Sequence, residues 1–352
     1  MTAKQTPHNS DESVEISELD RVKQRNKELE RLVKVGQAEA VLQDRMVNVL
    51  EGCVTAITPK YSPNVIPTEY RKTDLHEFAL LWSDIHAGEV VDPAAVNYMG
   101  EYDWTIMEKR HDELIRGILS YKENRPYPVN KLHLWGLGDM VSGEIHQELQ
   151  TTNEFPIIEA AIRFGETGSR FIENLVPEFG AIHFAGVVGN HGRLYPKPSA
   201  KQKYNNFDFL AYNMMRLEMQ KYKSISWDLP KSGKWPVELC GQRILLFHGD
   251  GVRSTMVGVP WGGITRYTDR LSNEWSRAGK PIDHFVSGHY HQANCVNGRR
   301  NILNGSMIGI NEWALDTFGT GEPPCQVLLT FHPRHGLTDV SFIDLLTGEV
   351  KE

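Results

Sequence analysis

Residues 78–86 read FALLWSDIH, an apolar run that ends in Asp84 and His86. The run has the length and composition of a buried strand. Residues two apart at the end of a strand point to the same side, so this carboxylate and this imidazole can reach one cation. Side chains on loops held by a rigid sheet are where α/β folds place their chemistry. The stretch therefore predicts a strand end that binds a metal.

Four further motifs follow apolar runs in the same way. They are Gly138-Asp139 after HLWGL, Gly189-Asn190-His191 after HFAGVV, His248-Gly249-Asp250 after RILLF, and Gly288-His289-Tyr290-His291 after DHFVS. Together the five motifs supply carboxylates, one amide and several imidazoles. This set of oxygen and nitrogen donors suits Mn, Fe, Zn or a mixed pair better than calcium or copper.

The composition is that of a globular protein with an ample core. Of its 352 residues, 40% are hydrophobic, which allows one large domain or two ordinary ones. No apolar run approaches the ~20 residues that cross a bilayer, and the N-terminal residues lack the apolar segment of a secretory signal. The four cysteines are scattered, which fits reduced thiols. We therefore expect a cytoplasmic protein without a membrane partner.

The sequence pattern divides the chain into four parts. We expect a disordered tail over 1–16, a helical arm over 17–52, a Pro-containing linker over 53–76 and a catalytic domain over 77–352. In the arm, apolar residues recur at the heptad spacing of a coiled coil until Gly36 interrupts it. The arm is therefore a coiled coil that forms a homodimer or higher oligomer, a helix lying on the catalytic domain, or a partly ordered segment.

Beyond the linker, strand and helix patterns alternate. Apolar residues at helical spacing predict helices over 103–121, after Pro156, near 207–217 and near 264–275. Late strands are predicted over 283–287, 301–304, 325–331 and 338–343, the last two as a hairpin around Pro333. This alternation predicts an α/β fold with buried sheets.

In this order, the motifs D-x-H, G-D, G-N-H, H-G-D and G-H-x-H resemble those of the calcineurin-like metallophosphoesterase superfamily. The resemblance covers about residues 77–306, where Asn304-Gly305-Ser306 also fits, and is closest in style to the SbcD-type nuclease and phosphodiesterase branches. It implies a four-layer α/β/β/α metallophosphoesterase sandwich, preceded here by the N-terminal helical arm. It also implies two divalent metal ions, with Mn²⁺ first and Fe, Zn or Ni as alternatives.

The resemblance further implies a role for each motif residue. Asp139 resembles the ligand shared by both metals, and His191 resembles the histidine that contacts the phosphate and protonates the leaving oxygen. The superfamily usually has an acidic residue directly after G-N-H, whereas this chain has Gly192, so another group must orient His191 or it is less well positioned. By the same resemblance, the other ligands of the first metal are expected to be Asp84, His86 and His291. Those of the second metal are expected to be Asn190, His248 and His289.

The function implied is a phosphoesterase in which a metal-held hydroxide attacks phosphorus. We expect a phosphodiester in nucleic acid, with DNA first, because a basic loop follows Arg193 and arginines populate the segment between His248 and His289. The net charge of −7 argues against broad coating of nucleic acid but leaves room for a local basic groove. The alternatives are a phosphomonoesterase acting on a phosphoprotein or small molecule, and a noncatalytic scaffold of the same fold.

Three polar residues near the motifs are candidates for binding the substrate. Arg193 could hold a phosphate with two hydrogen bonds, and Glu144 and His146 follow Gly138-Asp139 closely enough to line the cleft. The alternative for each is an ordinary polar loop residue.

Overall fold

The computed structural model describes residues 21–34, 75–252, 258–318 and 321–346. The chain divides into two units, Met1–Pro59 and Lys60–Glu352. In the first unit, residues 21–34 form a helix, α1. The expected tail, the remainder of the expected arm and linker residues 53–74 lie outside the described residues.

Two sheets form the centre of the second unit. The first contains β1 (His76–Trp82), β2 (Val129–Gly136), β3 (Ala181–Gly186), β4 (Ile225–Asp228), β10 (Cys325–His332) and β11 (Gly336–Asp344). Its strand order is β11-β10-β1-β2-β3-β4. The second contains β5 (Lys234–Leu239), β6 (Gln242–Phe247), β7 (His284–Ser287), β8 (Asn294–Val296) and β9 (Asn301–Leu303), in the order β5-β6-β7-β9-β8.

Six α-helices, and a 3₁₀ helix over Met219–Lys221, connect these strands in the described part of the second unit. The six α-helices are α2 (Trp104–Glu123), α3 (Leu149–Thr152), α4 (Ile157–Leu175), α5 (Phe207–Glu218), α6 (Trp261–Arg277) and α7 (Glu312–Phe318). Among the described helices, none combines the length and the apolar character that a bilayer crossing requires.

Three apolar clusters arrange these elements in four layers. The first packs α2, α4 and α5 against the outer face of the first sheet, around Trp82 and Phe164. The second fills the space between the two sheets, where Trp135 meets Leu246. The third packs α6 against the outer face of the second sheet, around Phe247. The four-layer α/β/β/α sandwich implied by the resemblance is therefore confirmed.

Most of the elements predicted from periodicity are present. The predicted helix over 103–121 is α2, and the predicted hairpin around Pro333 is the antiparallel pair β10 and β11. The pattern did not predict β4, β5 or β8. Strand β5 contains Pro236, which lacks the backbone N–H of a ladder, and it is tolerated because β5 lies at the edge of its sheet. Strands β4 and β8 are short edge strands that are mostly half-buried, so they lack the fully buried apolar run that marks the equally short β7 and β9.

Strand direction brings the five motifs to one edge of the sandwich. In the first sheet β1, β2 and β3 are parallel, and in the second sheet β6 and β7 are parallel. Each of these five strands is followed by one of the motifs. The carboxyl ends of parallel strands meet at one edge, which is where open α/β sheets bind ligands.

Candidate metal centre

The backbone at the strand ends is held in an uncommon conformation. Five of the expected ligands have positive φ angles of 52° to 76°, a region that non-glycine residues seldom occupy: Asp84, His86, Asp139, His289 and His291. Such conformations persist only where the surroundings enforce them, and they concentrate at functional sites.

Backbone hydrogen bonds enforce the geometry of the first two motifs. The Asp84 N–H donates to the Gly138 carbonyl at 3.0 Å, and the His86 N–H donates to the Asp139 carbonyl at 3.1 Å. The Asp84 carboxylate in turn accepts the backbone N–H of His289, with N–O distances of 2.9 and 3.1 Å. Because His289 follows a strand of the second sheet, Asp84 ties the two sheets together at the site.

Two glycines let the motifs approach each other closely. A Cβ on Gly189 would lie 2.1 Å from Asp139 Oδ1, and a Cβ on Gly288 would lie 2.3 Å from Asp84 Oδ2. No side chain fits at either position without displacing a carboxylate. The glycines of G-N-H and G-H-x-H are therefore required by packing against the expected ligands.

One group of side chains gathers around His86. Its Nε2 lies 3.2 Å from Nε2 of His291, and His291 Nε2 lies 3.6 Å from Asp84 Oδ1. The ligand atoms of these three residues are close enough to bind one ion. Glu89 Oε2 lies 3.1 Å from His86 Nδ1, and Glu89 also accepts hydrogen bonds from Ser142 and Asn311.

A second group gathers around His248. Its Nε2 lies 2.9 Å from Asp139 Oδ2, 3.1 Å from Asn190 Oδ1 and 3.2 Å from His289 Nδ1. Asp139, His248 and His289 are again close enough to bind one ion. Asp139 also groups with His86 and His191, so this one carboxylate reaches both sides of the cluster.

The donor atoms of both groups fit divalent metal ions. His248 Nδ1 lies 2.8 Å from the Leu137 carbonyl, so this nitrogen carries a proton and the Nε2 lone pair of the neutral ring points at three acceptors. The charge of Glu89, 3.1 Å from His86 Nδ1, favours a proton on that nitrogen, which leaves the Nε2 lone pair facing His291. Burial alone would lower the pKa of His248, but the charge of Asp139 raises it to about 10. The site therefore favours positive charge between its lone pairs.

His191 lies beside the two groups. Its backbone N–H donates to Asp139 Oδ1 at 2.7 Å, and its Nδ1 lies 2.7 Å from the Ser142 carbonyl. The Ser142 carbonyl therefore orients the ring, which answers the question raised by the missing acidic residue. Burial lowers the pKa of His191 to about 4, so the ring is neutral at pH 7.

Close packing against the start of α5 explains why position 192 is a glycine. A Cβ at this position would lie 2.4 Å from Asn206 Oδ1 and 3.0 Å from the Asp208 nitrogen. Asn206 Oδ1 accepts the Asp208 N–H at 2.8 Å and caps α5. The start of α5 therefore occupies the space where the superfamily's acidic side chain would begin.

The three candidate substrate-binding residues have different surroundings. The ring centroid of exposed His146 lies 5.6 Å from that of His191, so this imidazole stands at the mouth of the site. Arg193 instead donates to the carbonyls of Tyr195 and Pro196 within its own exposed loop. Glu144 accepts the Ile157 N–H at 2.8 Å, at the start of α4. Of the three, His146 is the one whose side chain lies beside His191.

Sequence reasoning missed Asp208, a fully buried residue on which the site depends. Its carboxylate accepts the backbone N–H groups of Asp139, Met140 and Gly189 at 2.8–3.0 Å. It therefore holds G-D and G-N-H in register. In the sequence it resembles an ordinary acidic residue in the first turn of a helix, where the macrodipole favours it. Glu89 was also missed, although its spacing of three from His86 could have indicated it.

Comparisons with known proteins give the following likenesses. No protein-family model matches the sequence, and no curated protein matches it. Vacuolar Protein Sorting 29 from Cryptosporidium parvum has 14% identity over 76% of this chain and 97% of its own, with a TM-score of 0.34. A conserved uncharacterized protein of Streptococcus pneumoniae, titled a predicted phosphoesterase, has 13% identity over 77% and 90%, with a TM-score of 0.30. An archaeal phosphodiesterase has 11% identity over 76% and 99%, with a TM-score of 0.32.

Because these TM-scores lie below 0.5, the functional argument rests on the geometry of the chain itself. Its two facing sheets, its outer helices and its grouped histidine and aspartate side chains are those that the resemblance to calcineurin-like metallophosphoesterases implies.

Proposed function

We propose that the chain is a dinuclear metal-dependent phosphoesterase that hydrolyses phosphodiesters. The observation that carries the proposal is the position of Asp139. This carboxylate belongs to the ligand group of His248 and His289, and also to a group with His86. Asp139 would hold both cations, and such a pair would supply a clamp for the attacking and leaving oxygens of an in-line phosphoryl displacement.

The expected ligands would form two cation sites that share Asp139. Asp84, His86 and His291 would hold one cation, and Asn190, His248 and His289 the other, with Asp139 between them. When bound, such cations neutralise phosphate oxygens and lower the pKa of water. Glu89 and the Leu137 carbonyl fix the tautomers of His86 and His248, so that both rings present Nε2 to the site.

His191 would hold the proton for the leaving oxygen. The Ser142 carbonyl accepts from Nδ1, so a proton on Nε2 makes the ring an imidazolium that this carbonyl and Asp139 stabilise. A bound phosphate anion adds negative charge beside the ring and raises its pKa. The ring can therefore be charged when substrate is present and neutral after proton transfer.

Basic and aromatic side chains beside the second metal group support nucleic acid, with DNA first, as the substrate. Lys203 Nζ lies 3.1 Å from the carboxylate of Asp250, two residues after His248. Nearby, Lys234 stands 5.8 Å from the ring centroid of Tyr267, and Lys231 stands 5.1 Å from that of Tyr204. Lysines that bind phosphates beside rings that stack bases are typical of surfaces for single strands.

The test is a substrate screen with Mn²⁺ as the added metal. Bis-p-nitrophenyl phosphate should be hydrolysed faster than p-nitrophenyl phosphate. Cleavage of single-stranded DNA should be faster than dephosphorylation of phosphopeptides. Preference for the monoester would contradict the diesterase proposal. Duplex DNA, RNA and cyclic nucleotides in the same screen separate the classes of diester.

A noncatalytic scaffold is disfavoured because all seven expected ligand positions carry side chains that can bind metal. The same screen checks this alternative together with metal analysis after reconstitution with Mn, Fe, Zn or Ni. A chain that retained no metal and hydrolysed no ester would support the scaffold.

We also propose that the N-terminal arm joins two copies of the chain. Within α1, Val22, Leu29 and Val33 are 51–56% exposed, and they occupy the heptad positions at which a coiled coil buries apolar side chains. Analytical ultracentrifugation of the full chain should give a dimer, and Leu29→Glu should give a monomer. A monomeric wild type would contradict this proposal.

A further inference from the structure

A second pair of histidines lies within β2 and β3, before the strand ends that carry the motifs. His133 and His183 are direct partners in the parallel pair of β2 and β3, and their Nδ1 atoms lie 3.4 Å apart. His133 precedes Asp139 by six residues, so at the rise of a strand the pair stands roughly 15–20 Å from the phosphoesterase centre.

Each imidazole has a carboxylate at its other nitrogen. Glu77 Oε2 lies 2.7 Å from His133 Nε2, and Asp228 Oδ2 lies 3.4 Å from His183 Nε2. The Trp235 Nε1–H donates to the same Asp228 oxygen at 3.1 Å and helps to place it. With its proton on Nε2, each neutral ring would face its carboxylate as a donor, and the two Nδ1 lone pairs would then face each other.

Facing lone pairs require a positive charge between them. If one Nδ1 carried the proton instead, the Nε2 lone pair of that ring would face its carboxylate. With both protons on Nε2, either a third proton is shared by the pair or a cation lies between the two nitrogens; with one proton on Nδ1, that ring donates to the other across 3.4 Å. Burial lowers the pKa of both histidines, and the charge of nearby Lys131 lowers it further for each, which disfavours the extra proton.

The nitrogen separation matches a metal ion. Two Zn–N bonds of about 2.0–2.1 Å at a tetrahedral angle place the nitrogens roughly 3.3–3.4 Å apart. Carboxylates that accept from the outer nitrogen are the usual partners of metal-binding histidines, because they orient the ring and raise its basicity. Glu77 and Asp228 also leave the cluster with net negative charge after Lys131 is counted.

We propose that His133 and His183 bind a divalent transition metal, with Zn²⁺ as the reference ion, through their Nδ1 atoms. The His133 side chain is 4% exposed and that of His183 is 20% exposed, so solvent reaches one side of the pair and completes the coordination. The ion would bridge β2 and β3 within the first sheet, away from the phosphoesterase centre.

The experiment counts zinc in the full-length protein after dialysis against buffered Zn²⁺. The wild type should retain one zinc ion more per chain than His133→Gln or His183→Gln. His284→Gln is the matched control, because His284 is also a strand histidine but has both ring nitrogens bonded, to the Arg299 carbonyl and to Gln242. It should retain the wild-type zinc content. All three variants should keep the wild-type rate on bis-p-nitrophenyl phosphate.

Two results would overturn the proposal. Equal zinc content in the wild type and in both pair variants would mean that the histidines share a proton only. A parallel loss in His284→Gln would mean that zinc content follows general destabilisation. Histidine nitrogen NMR gives a direct readout, since Zn²⁺ should shift Nδ1 of both residues and leave their Nε2 protonated. The proposal does not depend on the phosphoesterase function, because the ion is counted whether or not the ester is hydrolysed.

Discussion

Asp139 combines a φ angle of 53° with a carboxylate that has a separate contact for each oxygen. Oδ1 accepts the His191 N–H, and Oδ2 faces His248 Nε2. Asp84, His86, His289 and His291 share the uncommon backbone conformation. At the scale of single residues, the strained backbone at the strand ends therefore directs the donor atoms of these side chains into one site.

Substitution of His191 should lower turnover without loss of metal, whereas substitution of a metal ligand should lower both. His191→Ala should retain its metal and lose roughly 10²–10⁴ in turnover of bis-p-nitrophenyl phosphate, the range for a lost general acid. Its ring is bonded to the Ser142 carbonyl and belongs to the group with Asp139 and His86, but it would serve the leaving oxygen. Metal analysis and steady-state kinetics on the same preparation check this. Loss of metal in proportion to activity would instead make His191 a ligand.

Gly192 should not tolerate a side chain. Gly192→Ala places a Cβ 2.4 Å from Asn206 Oδ1 and should displace the cap of α5, at a cost of roughly 1 kcal/mol or more. Gly262→Ala is the matched control, because the nearest atom there is the far end of the flexible Arg266 side chain at 3.2 Å. Urea denaturation of both variants measures the difference. Equal stability of the two would show that the start of α5 yields without cost.

At the scale of elements, α5 reaches back into the site through its first turn. Asp208, in that turn, accepts three backbone N–H groups from the loops after β2 and β3. Unpaired buried donors are costly, so these loops keep their conformation only while the carboxylate is present.

Asp208→Ala should unfold at much lower urea concentration than the wild type. Each of the three N–H groups left without an acceptor costs roughly 1–3 kcal/mol, so the loss should be at least about 3 kcal/mol. Asp208→Asn keeps one acceptor oxygen and should lose less, while Asp112→Ala on the exposed face of α2 should lose little. Both Asp208 variants should bind Mn²⁺ more weakly. Unchanged metal affinity in Asp208→Ala would contradict the role given to this residue.

Motif order and strand polarity made it predictable that the motif side chains gather at one edge, because each motif follows an apolar run that forms a parallel strand. The prediction ended where a residue acts through backbone contacts from another element. Asp208 lies on α5, but it accepts the backbone N–H groups of Gly189 and Asp139 in the loops after β3 and β2. No local sequence pattern indicates such a residue. The sequence shows that Gly192 replaces the expected acidic residue. The structural reason for a glycine there is the Asn206 cap of α5, which leaves no space for a side chain. Arg193 and Glu144 have the right chemistry for substrate and are engaged by their own loop and by α4.

At the scale of the whole molecule, the core adds a dependence of stability on pH. His111 is buried beside Trp82 and Phe171 in the layer between the helices and the first sheet, with Nδ1 2.9 Å from the Met107 carbonyl. Burial lowers the pKa of His111 from 6.5 to about 4. Between these values the unfolded chain binds a proton that the folded chain does not, so the free energy of unfolding rises with pH in this window.

His111→Phe should remove this contribution. Between about pH 7.5 and pH 5, the wild type should lose on the order of 2 kcal/mol more of its free energy of unfolding than the variant does. Urea denaturation of metal-free protein at both pH values measures it, with His146→Phe as the control at an exposed position. An equal pH dependence of the wild type and His111→Phe would show that His111 is protonated without unfolding.

The central claim is that Asp139 binds two cations at once, and a titration of metal-free protein with Mn²⁺ tests it most directly. The wild type should bind two ions per chain with similar affinity. Asp139→Asn should lose tight binding of both, because the amide brings one neutral oxygen where the carboxylate brings two charged ones. Asp269→Asn, at an exposed ion pair with Arg300, should match the wild type. If Asp139→Asn lost one ion and kept the other at wild-type affinity, Asp139 would serve a single site and the shared-ligand account would be wrong.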